Sequence, residues 1–415
     1  MALRDILAPF RARNFRLFWF GQAVSLTGSW CTQTAVNWVV HVITGSLVMQ
    51  GWFTFLQQIP NFLLAPFAGV VADRVDRMRF LLVAQVAGLL TSCALSAYAW
   101  FDGASVRTLA LLCLARGLVS AIEVPARQVM IVRFIGDASL LARAIALNSS
   151  LFNLARFVGP ALAGWIYQNG ESLPGPARAG AFVCFALDAL SFIPVIGALL
   201  AMRLPPEPAR TAPRQHPLRE LAAGVRYARA NPTCRLLIPS AAALSLFGLS
   251  YAVMLPRLAS EVYKGNAATY GALLSAVAVG SLIAALALAA RRDTVGLERH
   301  IALGGACLGA GLAGMAFLPP LHVSWFFLAL AGYGGVSAMA STNTLLQYTV
   351  DEAFRGRVVG LFHMSFSGML PFGGLLAGYL AGHFGARVGL GFAAGASALI
   401  ALRVARGAAR AARVS

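Results

Sequence analysis

Gly69-Val70-Val71-Ala72-Asp73-Arg74-Val75-Asp76-Arg77-Met78-Arg79 is the stretch from which the architecture is read. It sets two carboxylates and three arginines between two apolar runs, near 48–72 and 80–101. Each run is long enough for a bilayer core, which takes about 20 helical residues. A charged island between two such runs is a loop joining membrane spans. The same alternation continues in both directions. Spans are expected near 17–40, 48–72, 80–101, 107–127, 142–168, 178–202, 236–256, 269–290, 301–319, 323–346, 357–383 and 386–406. The expected fold class is an all-α integral membrane protein with 12 transmembrane helices.

Composition agrees. The 415 residues are 59% hydrophobic and only 12% charged, whereas soluble domains carry roughly 25% charged residues. No soluble fold could hide that much apolar surface. The formal charge of +18 does not point to nucleic acid, because a nucleic-acid binder gathers its charge on one face. Here the arginines fall in alternate links. One set holds Arg74, Arg77 and Arg79; Arg133 and Arg143; the run from Arg203 to Arg235; Arg291, Arg292 and Arg299; and Arg355 and Arg357. The opposite links offer only Arg107, Arg178, Arg257, Lys264 and Arg387. By the positive-inside rule the arginine-rich links and both termini are cytoplasmic. Arg4, Arg11, Arg13 and Arg16 before the first run suit a retained helix, not a cleaved signal. The six cysteines form no C-x-x-C pair and read as small apolar side chains.

The longest polar stretch opens Pro205-Pro206-Glu207-Pro208, which cannot stay helical. It continues from Leu218 to Tyr227 in an amphipathic pattern suited to a surface helix. The expected organisation is a six-helix bundle over 1–202, a cytoplasmic linker over 203–235 and a second six-helix bundle over 236–415. A repeat supports it. At a shift of 214 residues Asp137 meets Asp351, Arg143 meets Arg357, Gly159 meets Gly373 and Leu162-Ala163-Gly164 meets Leu376-Ala377-Gly378. Two like-oriented halves are a known transporter plan.

The opening stretch resembles the major facilitator superfamily signature G-x-x-x-D-R-x-G-R-R/K in the matching loop. Gly69, Asp73, Arg74 and Arg77 match; Asp76 stands for the usual glycine and Met78 for a basic residue. Gly69 would allow close helix approach. Asp73 could face the positive N-terminus of another helix, with arginines locking it there as a breakable cytoplasmic latch. The plainer reading is an ordinary positive-inside loop. Further blocks resemble the branch of enterobactin exporters and macrolide efflux proteins, of the transmembrane secretion effector type. They include Asn14-Phe15-Arg16-Leu17-Phe18-Trp19, Glu123-Val124-Pro125-Ala126-Arg127-Gln128, Asn148 to Arg156, Asn343-Thr344-Leu345-Leu346-Gln347 and Arg355-Gly356-Arg357. The resemblance implies secondary transport, usually efflux of drugs or siderophores driven by the proton gradient. Gly159-Pro160 with Gly164 resembles the fifth-helix motif of superfamily antiporters, which implies export. These small residues, like Gly374 and Gly378, also read as helix-packing positions. The fourth-helix antiporter motif is damaged: Cys113 stands where its arginine belongs, and Arg116 takes the glutamine's place before Gly117.

Ionisable groups inside spans are costly and default to function. Arg116, Ser120, Glu123 and Arg127 share one face of the fourth span. Trp30, Gln33, Asn37 and His41 stripe the first span; Gln57 and Asn61 the second; Ser149, Asn153 and Arg156 the fifth. In the second half Tyr333, Ser337 and Ser341 lie on the tenth span, with His363 and Ser367 on the eleventh. In the resembled fold spans one, four, seven and ten line the cavity. Glu123 and Arg127 could be an internal salt bridge, part of the latch with Arg77, a proton carrier or a cargo contact. Arg116 could bind cargo or a counter-ion, or pair structurally; Asp188 could partner or couple. The G-x-G-x-x-G at 309–314 follows no strand, which rejects a dinucleotide site. No nucleophile constellation, P-loop or metal set is read, so neither an enzyme nor a cofactor is expected. The expected partners are membrane lipids and a small-molecule cargo bound near mid-bilayer, with the chain acting as a monomer. The function expected is export of an amphipathic molecule, drug, macrolide or siderophore-like, by proton antiport across the bacterial inner membrane. A lipid or lysophospholipid flippase of the same fold, and a non-transporting receptor or scaffold, are the alternatives.

Overall fold

The computed structural model describes residues 7–411 except 75, 102–104, 171–177, 203, 205–216 and 292–295. For 65–74, 129, 138, 142, 217–220 and 410–411 it describes the backbone alone. Among the described residues there is no strand. The helices are α1 (Arg13–Thr44), α2 (Leu47–Arg74), α3 (Arg77–Trp100), α4 (Val106–Ile135), α5 (Leu141–Gly170), α6 (Ala179–Ala201), α7 (Pro217–Ala230), α8 (Pro232–Val262), α9 (Ala267–Ala289), α10 (Leu297–Ala316), α11 (Leu321–Thr349), α12 (Glu352–Phe384) and α13 (Ala386–Ala411). All-helical structure is what a bilayer demands, since every backbone polar group must be satisfied within its own segment. Each expected span lies on one helix, and α7 covers the stretch read as amphipathic. By length and composition α3, α4, α6, α8, α9, α11, α12 and α13 can cross a membrane. The long helices α1 and α5 carry polar stripes, which lowers their mean hydropathy.

The chain forms two compact units, Met1–Val39 with Leu63–Arg214 and Val40–Phe62 with Gln215–Ser415. In the first, α3 packs on α4 and α6, and α5 on α6. One end of this unit is closed by Phe15, Phe18, Leu81, Met130 and Phe134, with the Phe18 and Phe134 rings 4.7 Å apart. Local caps fix the helix starts. Asp76 accepts from the amides of Met78 (2.9 Å) and Arg79 (3.0 Å) and so opens α3. This is a physical use for the residue that departs from the signature's glycine. Ser105 caps α4, and Gly136, at φ +70°, ends it in the left-handed region.

In the second unit α10 packs on α11 and α13, α9 on α11, and α12 on α7 and α8. Close backbone approach sets these packings. A Cβ at Gly332 would run into the Val277 carbonyl, and one at Gly378 would lie 2.5 Å from the Leu47 carbonyl oxygen and 3.0 Å from Gly51 Cα. Helix α8 is not uniform. It passes through a π-turn at Leu244–Gly248, a 3₁₀ stretch at Leu249–Met254 and a second π-turn at Leu258–Val262. Ser245 donates to the Phe366 carbonyl at 2.6 Å, tying the first break to α12. Surface helix α7 is clamped to the start of α12. The Tyr227 hydroxyl donates to Asp351 Oδ2 at 3.0 Å, its ring stacks on Phe354 at 4.6 Å, and the Arg357 guanidinium lies over the same Phe354 ring at 5.5 Å.

Candidate functional site

The centre of the first unit holds an ion pair. Arg116 Nη1 on α4 lies 2.9 Å from Asp188 Oδ2 on α6. The Asp188 side chain is fully buried and that of Arg116 is 15% exposed. Two serines complete the seat. Ser92 on α3 donates to Asp188 Oδ2 at 2.8 Å and accepts from Arg116 Nη1 at 3.1 Å. Ser29 on α1 donates to Oδ1 at 3.3 Å, while its carbonyl accepts from Arg116 Nη2 at 3.4 Å. Four helices thus converge on one carboxylate that has three donors. Gly28 makes the seat possible: a Cβ there would sit 3.0 Å from Asp188 Oδ1 and 2.6 Å from Ser191 Oγ.

A second ionic contact lies nearer the end of α4. Arg127 Nη1 meets Glu123 Oε1 at 3.0 Å, and Gln85 Nε2 donates to the same oxygen at 3.2 Å. Arg77, in the first turn of α3, is buried. The side chains of Gly69, Asp73 and Arg74 lie outside the described residues, and so does the latch they would make. On α1 and α5 the Arg156 guanidinium covers the Trp30 ring at 5.7 Å, and Phe152 meets the same ring edge-on at 5.6 Å. A Cβ at Gly159 would overlap Trp30, and Pro160 and Gly164 are buried beside it. Asn153 turns back to the Ser149 carbonyl at 2.9 Å. Gln33 and Asn37 are half-buried on the same helix as Trp30.

The remaining sequence candidates sit in the second unit. Gln57 is buried and bonds the Phe53 carbonyl at 3.3 Å; Asn61 is half-buried. Ser337 is buried and bonds His300 Nε2 at 2.9 Å, and Tyr333 is half-buried one turn earlier. His41 Nε2 lies 2.7 Å from Ser260 Oγ. A Cβ at Gly374 would press on Thr54 Cγ2 at 2.9 Å. Arg116 and Asp188 are therefore brought together, as are Glu123 with Arg127 and Trp30 with Arg156. Sequence reasoning misses Ser29, Ser92, Gln85 and His300. The signal for two of them is present: Gln85 and Ser92 are seven residues apart on α3, hence on one face. Among the described residues no cluster of His, Cys, Asp and Glu could hold a metal ion.

The family model described as transmembrane secretion effector matches residues 5–412. The staphyloferrin A transporter of Staphylococcus aureus is 25% identical, over 87% of this chain and 88% of its own length. The multidrug efflux pump Tap of Mycolicibacterium fortuitum is 26% identical, over 89% of both chains. The enterobactin exporter EntS of Escherichia coli is 27% identical, over 84% of this chain and 80% of its own. Among solved structures, a bacterial homologue of the iron transporter ferroportin in its inward-facing state superposes with a TM-score of 0.69. It is 17% identical, over 95% of this chain and 98% of its own. That last likeness concerns fold alone.

Proposed function

The chain belongs to the transmembrane secretion effector family of the major facilitator superfamily, and on that premise we propose that it is a proton-coupled exporter of an amphipathic small molecule. The cargo class is drug, macrolide or siderophore-like, in keeping with the staphyloferrin A, multidrug and enterobactin transporters that the chain resembles. The chain crosses the bacterial inner membrane twelve times as two six-helix bundles, 1–202 and 236–415, joined by the 203–235 linker. Both termini are cytoplasmic. It works as a monomer among membrane lipids, without a cofactor, on the energy of the proton gradient.

The observation that carries this reading is the Arg116–Asp188 pair at 2.9 Å inside apolar helices. Two leucines in its place would hold the helices as well, because desolvating two charges cancels most of their attraction. A pair kept at that cost is better suited to moving charge than to holding a fold. A proton arriving on Asp188 would neutralise the carboxylate and release Arg116 to a polar or anionic group of the cargo. Loss of that proton to the other side would re-form the pair and expel the cargo. The Asp73 latch, with Arg74 and Arg77, would hold the cytoplasmic side shut in one state, and its differential strength between states biases the exchange.

The test is transport by protein reconstituted in vesicles, with and without an imposed pH gradient. The expected result is faster cargo movement with the gradient, abolished in Asp188→Asn. Transport indifferent to the gradient, to Asp188→Asn and to Glu123→Gln would mean a facilitator. For the latch, Asp73→Asn should change the inward-to-outward ratio; an unchanged ratio and rate would remove it from the mechanism.

A further inference from the structure

The positive-inside rule gives Arg13 and Arg133 nothing to do beyond orienting the chain. The first unit gives them more. A cavity of about 620 Å³ opens between the start of α1, the end of α4 and the residue Leu204 beyond α6. Arg13, Asn14 and Arg133 supply its polar wall, and Phe134, Gly136 and Leu204 part of the rest. Among the described residues that line it, none is acidic. Arg13 donates to the Ala201 carbonyl at 3.2 Å, a neutral acceptor that spends one of its five N–H donors. Asp137 follows Gly136 in the chain but does not line the cavity; its carboxylate is engaged by the Ser139 amide at 2.8 Å.

A second observation sets the depth. Phe10, Trp19 and Phe20 form an edge-to-face cluster on the same end of α1, with centroids 5.1 Å apart for Phe10–Trp19 and 5.2 Å for Trp19–Phe20. Phe20 is 57% exposed. The indole among them, Trp19, is a ring type that settles at the level of lipid headgroups. The cavity therefore combines two arginines, an amide side chain, an apolar wall and headgroup depth. Guanidinium forks match phosphate oxygens bidentately. On the cytoplasmic leaflet, which is rich in anionic lipid, basic pockets between helices take phosphate headgroups.

From this arrangement we infer that the cavity is a binding site for a phosphate-bearing anion, either the headgroup of an anionic phospholipid or free phosphate. The inference uses the cytoplasmic orientation proposed above, but binding is measured without transport, so the two can fail separately. Occupancy would tie the start of α1 to the end of α4, two segments that must keep their relation for the unit to move as one body.

The experiment is thermal unfolding of the purified full chain in detergent, titrated with micelles containing phosphatidylglycerol, with phosphatidylcholine micelles, or with inorganic phosphate. Phosphatidylglycerol should stabilise saturably and phosphatidylcholine should not. Replacing both arginines (Arg13→Gln with Arg133→Gln) should raise the half-saturating concentration roughly thirtyfold, from about 1 kcal/mol per arginine. Arg11→Gln, at an exposed arginine outside the cavity, should leave it unchanged. Saturation by phosphate with the same dependence on both arginines assigns the free anion as the source, and a response to the lipid alone assigns the headgroup. Equal stabilisation by the two lipids with no response to phosphate, no stabilisation by any of the three, or an unshifted half-saturation in the double variant each overturn the site. Should the double variant not fold, native mass spectrometry of Arg133→Gln must show fewer retained phosphatidylglycerol molecules than the parent, and equal retention overturns the site as well.

Discussion

Replacing Asp188 by asparagine tests whether the buried pair is coupled or merely adjacent. Asparagine keeps the volume and removes the charge. Arg116 is then left with the Ser92 hydroxyl and the Ser29 carbonyl, both neutral acceptors. Two donors, from Ser29 and Ser92, now meet a group with one acceptor oxygen where two stood. Breaking one partner of a buried pair costs about 3–5 kcal/mol. Arg116 retains 15% exposure, so water relieves some of its charge and the lower end applies, about 3 kcal/mol. At about 2–4 °C per kcal/mol for a unit of this size, the midpoint of thermal unfolding should fall by about 6–12 °C. The assay is intrinsic tryptophan fluorescence on heating in detergent, with a cycle of Arg116→Met, Asp188→Leu and the two together run beside it. The apolar double variant should recover most of the loss, to within about 1 kcal/mol of the parent. Single losses that simply add in the double variant, with coupling below about 0.5 kcal/mol, would refute an energetic pair. A stable double variant whose transport still follows the pH gradient would refute the pair as the coupling site while leaving its structural role intact.

Three further perturbations follow from the same contacts. Glu123→Gln should lower stability by about 1–2 kcal/mol, since it takes the charge from a largely buried Arg127 partner at 3.0 Å, and Gln85→Ala should cost less; matching denaturation curves for parent and Glu123→Gln would show that this contact contributes nothing. Tyr227→Phe keeps the stack on Phe354 but deletes the bond to Asp351, about 1 kcal/mol, so hydrogen exchange across 217–230 should rise while α9 to α11 stay protected; unchanged exchange there would mean that the stack alone holds α7. The side-chain bond from Ser139, and the bond from its amide, hold the Asp137 carboxyl below the usual carboxylate range. A group with a lowered folded pKa stabilises above its unfolded value and loses that contribution as pH falls through the folded value. Acid unfolding of Asp137→Asn should therefore start from a lower plateau at neutral pH and converge with the parent at acid pH; parallel curves at every pH would contradict the assignment.

How much of this was legible follows from what each signal depends on. The helices are legible because a bilayer sets the length of apolar run that each needs. The Arg116–Asp188 pair is half legible: each residue stands out as an ion in an apolar run, but 72 residues separate them and nothing local says they meet. Ser29 and Ser92 are not legible singly, since a serine in a membrane helix usually bonds its own i−4 carbonyl. The breaks in α8 escape because they depend on a bond from Ser245 to a carbonyl on another helix. The repeat misleads in one respect. It equates Asp137 with Asp351, yet Asp137 caps its own turn through Ser139 while Asp351 accepts the hydroxyl of Tyr227, 124 residues away. Symmetry of sequence therefore marks position in the bundle, and the linker helix takes one copy for a different use.

The arginines divide accordingly, and burial decides the division. An arginine at the membrane surface keeps its hydration and orients the chain at little cost. Arg116 has given up most of that hydration, and a single carboxylate cannot repay it by attraction alone. What makes the site tolerable is the pair of serines, which complete the hydrogen bonding of both ions without adding charge. That has a consequence for coupling. Protonating Asp188 removes the attraction but leaves the serine bonds, so the four helices need not separate when the charge changes. Ser92→Ala should then disturb the pair more than Ser29→Ala, because Ser92 bonds both ions, at 2.8 and 3.1 Å, and Ser29 reaches the carboxylate at 3.3 Å. The measurement is the rate of gradient-driven transport by the reconstituted variants. Ser92→Ala should slow it more than Ser29→Ala. A rate unmoved by either serine would remove the serine bonds from the coupling site.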